Sequence, residues 1–144
     1  MRFNIRIYGI LIHEGKVLLS DERYKGREFT KFPGGGLKFG EGIIDCLKRE
    51  FKEELNINIE VGELIYLTDY FIASAFDIED QLISIYYFVN TEEVDQIVTS
   101  DIPFNFQNSE SKTEVYRWRK ISQLTKKEMT FPIDKHVVDL IDKA

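Results

Sequence analysis

The sequence predicts an α/β protein in which a mixed sheet lies between helices. Three observations point there. Alternating, β-branched stretches stand on both sides of a central run with helical periodicity, and a second helical run lies near the C-terminal end. That order of elements buries two helix faces on one sheet. With 144 residues and 43% hydrophobic content, one domain over residues 1–144 can close a core.

Phe3 to His13 alternates polar and apolar residues and reads as a strand. Gly15 marks a turn, and Lys16 to Ser20 resumes as a second strand, making a hairpin. Asp21 to Glu28 is charged, holds Gly26 and reads as a loop. Phe29 to Pro33 is a short extended piece, because Pro33 biases Phe32 away from helix. It enters the glycine loop Pro33-Gly34-Gly35-Gly36. Leu37 to Phe39 is too short to assign. The central helix runs from Ile43 to Leu55, with Gly42 as a weak N-cap and Asp45 three residues on. Ile57 to Ala75 and Gln81 to Asn90 read as long strands around a turn at Asp77 to Asp80. Glu92 to Asn108 has no clear period and holds Pro103, so it reads as loop. Glu114 to Ile121 reads as a last strand and Ser122 to Phe131 as a connection. Asp134 to Ile141 reads as a closing helix with Asp134 as its cap.

Composition narrows the function classes. No apolar run approaches the length of a membrane span. The N-terminal stretch lacks the apolar region and small-residue cleavage site of a signal peptide. The single Cys46 forms no internal disulfide and fits a reducing, cytoplasmic setting. A net charge of −6 argues against general nucleic-acid binding. A nucleotide held through a metal is still compatible, because the cation neutralises both sides.

The central helix carries the chemistry. Wound at about 100° per residue, it places Glu50, Glu53 and Glu54 within about 100° of arc in one turn. Ile44, Leu47, Phe51 and Leu55 form the adjoining apolar stripe that pins the helix to a core. Unit charges ~4 Å apart repel by about 1 kcal/mol in water and about 4 at a protein surface. A divalent cation removes that repulsion, and hard oxygen ligands suit Mg²⁺ or Mn²⁺ over zinc. Taken alone, the EFKEE run also reads as a solvated acidic face. The glycine loop just before it favours the metal.

The run Gly35 to Ile57 resembles the signature of the Nudix hydrolases, G-x5-E-x7-R-E-U-x-E-E-x-G-U, with U a bulky apolar residue. Gly35, Glu41, Arg49, Glu50, Phe51, Glu53, Glu54 and Ile57 match in register. Asn56 stands where the family has glycine. That position falls just past the helix end, where a left-handed residue is wanted and Asn is the next best choice. The resemblance implies an α/β/α sandwich with a mixed sheet and Mg²⁺-dependent (or Mn²⁺-dependent) hydrolysis of a diphosphate bond in a nucleoside diphosphate linked to another moiety. Glu50, Glu53 and Glu54 would ligate the metal with the Gly35 carbonyl. Either Glu50 or Glu53 would act on the attacking water. Some family members use a glutamate of a later loop, for which Glu110 and Glu114 stand in plausible places, though both also read as solvated charges. Arg49 would reach back to Glu41 and tie the loop to the helix. Arg23, Arg27 and Lys38 are candidate clamps on the substrate phosphates, each with a plain surface charge as its alternative.

The proline of ADP-ribose cleavers is missing from Phe71-Ile72-Ala73-Ser74, and neither the tyrosine marker of dinucleoside polyphosphate cleavers nor the array of NADH cleavers is found. An NTP, a dNTP or a nucleotide sugar is therefore favoured. The alternative is a Nudix-like module that senses a nucleotide without turnover. Phe29 reads as core or as a base-stacking ring, and His13 and His136 read as structural or solvated. The aromatics of the long hairpin, from Tyr66 to Phe88, should half face the core. Any left exposed would form a patch for a homodimer.

Overall fold

The computed structural model describes residues 1–108 and 113–142. Seven strands and two helices follow the predicted alternation: β1 (Arg2–His13), β2 (Lys16–Tyr24), β3 (Arg27–Lys31), β4 (Gly34–Gly36), α1 (Ile43–Leu55), β5 (Glu60–Leu67), β6 (Asp80–Asn90), β7 (Glu114–Lys120) and α2 (Pro132–Asp142). The sheet is mixed. Its main path runs β3-β2-β1-β6-β5, with β4 on β1 and β7 on β2. β1 and β6 are parallel in unbroken register from Arg2 opposite Asp80 to Leu11 opposite Val89.

Alternation along these strands feeds two cores. Ile7, Leu11, Ile85 and Val89 face α1, where they meet Leu47, Phe51 and Leu55. Ile10, Tyr86 and Phe32 face the other way, onto Ile133, Val137, Val138 and Ile141 of α2. One sheet buried on both faces by helices is the α/β/α sandwich that the sequence predicts. Gly9 is the contact point of the first core, since a Cβ there would come 2.7 Å from the Phe51 ring.

Five details differ from the sequence reading. Asp21 to Glu28 is not a loop: β2 and β3 continue through it and meet in a two-residue turn, Lys25-Gly26, with φ of 51° and 74°. Such a primed turn matches strand twist, and its charged flanks conceal the strands from a hydrophobic pattern. Gly34–Gly36 is a strand although glycine has no strand propensity, because it pairs with Arg6 to Tyr8 of β1. The long stretch from Ile57 to Ala75 is a strand only from Glu60 to Leu67. Asp134 does not cap α2. It sits inside the first turn, with Pro132 as the opening residue, and accepts a hydrogen bond from the Tyr86 hydroxyl. Ile44 is exposed on the first turn of α1, and Cys46 takes its place against the core. Elsewhere α1 follows expectation: Gly42 offers no side-chain cap, and Asn56 closes the helix in the left-handed region at φ 55°, ψ 38°. Among the described residues no helix is long and apolar enough to cross a membrane.

Candidate active site

Two glycines set the local geometry. A Cβ at Gly34 would fall onto the Ile7 carbonyl of β1, so the loop can lie this close only without a side chain. A Cβ at Gly35 would sit 2.5 Å from both oxygens of Glu50. The Glu50 carboxylate therefore rests directly over the loop backbone, and its residue is buried at 9% exposure.

Arg49 holds the loop and helix together. Its Nη2 and Nε donate to the two oxygens of Glu41, at 2.6 and 2.9 Å, the fork geometry that suits a carboxylate. Nη2 also donates to the Gly36 carbonyl at 3.1 Å, and Nη1 to Glu50 at 2.9 Å and Glu53 at 3.2 Å. These bonds from Arg49, then the Lys38 backbone N–H, hold the Glu41 carboxyl down at about 2. Glu53 points outward, with 52% of its side chain exposed.

Glu54 is solvent-exposed as a residue, but its carboxyl enters a crowded corner. The Tyr116 hydroxyl donates to it at 3.3 Å. Partial desolvation, then the charges of Glu114 and Glu50, raise its pKa well above the usual carboxylate range. Glu114 is raised too, by burial and then by Glu22. Lys31 opposes both shifts. Its ammonium is buried and pairs with Glu22 at 2.8 Å. Burial is the largest single influence and works against that charge, but Glu22, Tyr8 and Glu54 together outweigh it and the pKa is raised.

Glu22, Lys31 and Glu114 line a cleft of about 460 Å³ on the α2 face of the sheet, a volume suited to a nucleotide-sized ligand. Its floor is the polar alternation Arg2, Asn4, Arg6, Tyr8 on β1, beside Leu82, Ser84 and Tyr86 of the parallel β6. Tyr8 and Tyr86 stack at 5.0 Å. The Tyr86 hydroxyl donates to Asp134 at 2.6 Å, and burial lifts the Asp134 carboxyl to about 6.

The predicted residues thus fall into two groups. Gly35, Glu41, Arg49, Glu50 and Glu53 form one connected cluster, and Glu54 stands apart from it, hydrogen-bonded by Tyr116 and reached by the Glu50 charge. The three candidate clamps do not converge. Arg23 lines the cleft, with its guanidinium on Glu28 and 4.5 Å above the Phe106 ring. Arg27 stands at the β2–β3 turn against the Ala75 carbonyl and the Phe76 ring. Lys38 lies on the exposed loop, outside the cleft lining. Glu110 lies outside the described residues. Phe29 is buried among Phe76 and Phe131.

Glu22, Lys31 and Arg6 were not singled out from the sequence, and Asp134 was read there only as a helix cap. The polar face of β1, from Arg2 to Tyr8, was the available signal: its alternate positions are hydrogen-bonding residues where a two-faced central strand would be apolar.

Among the described residues no three His, Cys, Asp or Glu side chains converge tightly enough to hold a metal ion as they stand. The donor set itself fits a hard divalent cation: carboxylate oxygens over a loop backbone, mutually repelling, with basic side chains as their present counter-charges.

A family comparison matches residues 3–141 of the chain to the NUDIX domain. The chain belongs to that family. Its activity class is that of a Nudix-type pyrophosphohydrolase. An 8-oxo-dGTP diphosphatase of Buchnera aphidicola subsp. Acyrthosiphon pisum (strain APS) is 25% identical over 128 residues, covering 89% of this chain and 87% of the relative. The fold is shared with the E. coli ORF135 protein, at TM-score 0.71 and 16% identity over 99% of this chain and 91% of that one. It is shared equally with a MutT NUDIX hydrolase from Burkholderia pseudomallei, at TM-score 0.70 and 16% identity over 96% and 98%.

Proposed function

We propose that this Nudix protein hydrolyses a phosphoanhydride bond in a nucleoside diphosphate derivative with the help of Mg²⁺ or Mn²⁺, and that NTPs or dNTPs are its first candidate substrates. The observation that supports this is the placement of Glu50 over the Gly35 backbone, locked by the Arg49–Glu41 fork and set beside the cleft. The relative's activity on 8-oxo-dGTP directs attention to a nucleoside triphosphate.

In this reading Glu50, Glu53, Glu54 and the Gly35 carbonyl hold the cation. When bound, the cation would polarise phosphoryl oxygens and lower the pKa of a water. The protein's own residues do the positioning. Arg49 and Glu41 fix the loop so that Gly35 and Glu50 stay aimed at one point. Burial raises the Glu114 carboxyl, which suits it to take a proton from the attacking water near neutral pH. The cleft takes the nucleoside half, with the stacked Tyr8 and Tyr86 and the Asp134 carboxyl within its lining.

The test is release of phosphate-bearing products from a panel of dNTPs (oxidised ones included), nucleotide sugars, ADP-ribose and dinucleoside polyphosphates. It is run with Mg²⁺ and with Mn²⁺, beside Glu54→Gln. Turnover of one class, lost in the variant, is expected. No turnover of any class, with cation still bound, would overturn the hydrolase reading and leave nucleotide sensing in its place.

A further inference from the structure

Among the described residues, Arg6 is the arginine of the cleft lining with no carboxylate within ion-pair distance. Among the described residues Arg2, Arg23, Arg49, Arg117 and Arg119 each pair with one. Lys31, across the Tyr8 ring, is taken by Glu22 at 2.8 Å. Nε of Arg6 donates to the Tyr8 hydroxyl at 3.3 Å and the guanidinium lies 6.0 Å from the Tyr8 ring centroid; Tyr8, then the charges of Glu22 and Glu50, favour its charged form against burial. Its side chain is half-buried on the cleft floor. With no carboxylate paired to it directly among the described residues, its fork keeps N–H donors suited to an anion.

Its position says which anion. The β1–β4 register sets Arg6 opposite Gly36 and Ile7 opposite Gly35. A Cβ at Gly36 would come 3.3 Å from the Arg6 Nη1, so the guanidinium lies along the glycine backbone, one residue from the place where Glu50 rests over Gly35. It lies on the cleft floor, and the Glu50 charge reaches it there. Tyr8, stacked on Tyr86, limits where it can swing. A planar donor fork so held matches two oxygens of a phosphate.

We propose that Arg6 is a substrate-binding residue that donates to phosphate oxygens of the substrate half lying in the cleft. It fixes the diphosphate between the carboxylate cluster and the cleft floor. This rests on the hydrolase reading above.

The test is calorimetric binding of methylenediphosphonate, a diphosphate that cannot be hydrolysed and carries no base or sugar, in the presence of Mg²⁺. Arg6→Gln should bind it at least about tenfold more weakly than wild type, as expected for loss of a charge-assisted pair. Arg6→Lys should fall between the two, keeping charge without the fork. Lys120→Gln should bind like wild type, because Lys120 is exposed at the end of β7 and outside the cleft lining. If Arg6→Gln does not fold, Arg6→Lys is compared directly with Lys120→Gln and should still bind more weakly. Equal binding by wild type and the Arg6 variants would overturn the proposal and leave the hydrolase reading intact. Equal losses in Lys120→Gln and Arg6→Gln would also overturn it, since that pattern is a diffuse field. Wild type that does not bind the probe would overturn both readings together.

Discussion

Asp134 shows how one side chain ties stability to the cleft. Burial raises its carboxyl to about 6 from an ordinary value near 4, against the pull of the Tyr86 hydroxyl and Lys31. The folded protein thus holds this proton more tightly than the unfolded chain. The ionised form costs stability, and that cost grows as pH rises through the window between the two values, then stays constant above it. Asp134→Asn keeps an acceptor for Tyr86 without the charge. Melting curves should show the variant gaining on wild type from pH 4 to pH 7, by on the order of 2–3 kcal/mol. A gain independent of pH would contradict the assignment. Gly35→Ala is the sharper change, because the new methyl would occupy the place of the Glu50 carboxylate. Activity should fall at least about a hundredfold while the fold survives, a displacement effect of catalytic geometry. Circular dichroism and turnover on the same sample check it. Arg49→Lys should lower kcat by about ten- to a hundredfold, since a point charge cannot span both Glu41 oxygens and the Gly36 carbonyl. At this scale the motif residues were legible because their spacing lies within one loop and one helix. Arg6 and Lys31 were not, because only the sheet brings them beside Glu50 and Glu22.

Among the elements, α1 was the most legible. Its bounds, its open N-cap and the left-handed Asn56 all follow from local sequence. Asn56→Gly should change stability by less than ~0.5 kcal/mol, while Asn56→Ala should cost about 1 kcal/mol, because a Cβ without a polar end disfavours this conformation. Chemical denaturation of both variants measures the difference. Strands were less legible where charge or glycine disguised them. β2 continues through Asp21, Glu22 and Arg23 because one side of it builds a buried ion pair, Asp21 with Arg117 at 2.8 Å, and the other lines the cleft. Hydrophobic alternation fails there because both sides of the strand carry charge. Gly34–Gly36 is held as a strand by its partner, β1, and by nothing in its own propensity.

For the whole molecule, sequence order announced a sheet between helices, but pairing is a long-range property. The parallel register of β1 with β6 joins residues nearly eighty positions apart, and it is this register that builds the cleft floor. The cleft therefore appears only once the chain is folded, whereas the carboxylate helix can be read from a short run. The central claim is that this helix carries a divalent cation for phosphoanhydride hydrolysis. A cation bound only to the folded state should stabilise it by about 2.7 kcal/mol at a hundred times its dissociation constant, an effect that Glu50→Gln should largely remove. The most direct measurement is the Mg²⁺ dependence of hydrolysis of the best substrate from the panel, in wild type and Glu50→Gln. Saturable activation by Mg²⁺ in wild type, with turnover lower by about a hundredfold or more in the variant, is the expected result. Full turnover in the presence of excess chelator, or an unchanged Mg²⁺ response in Glu50→Gln, would contradict the account.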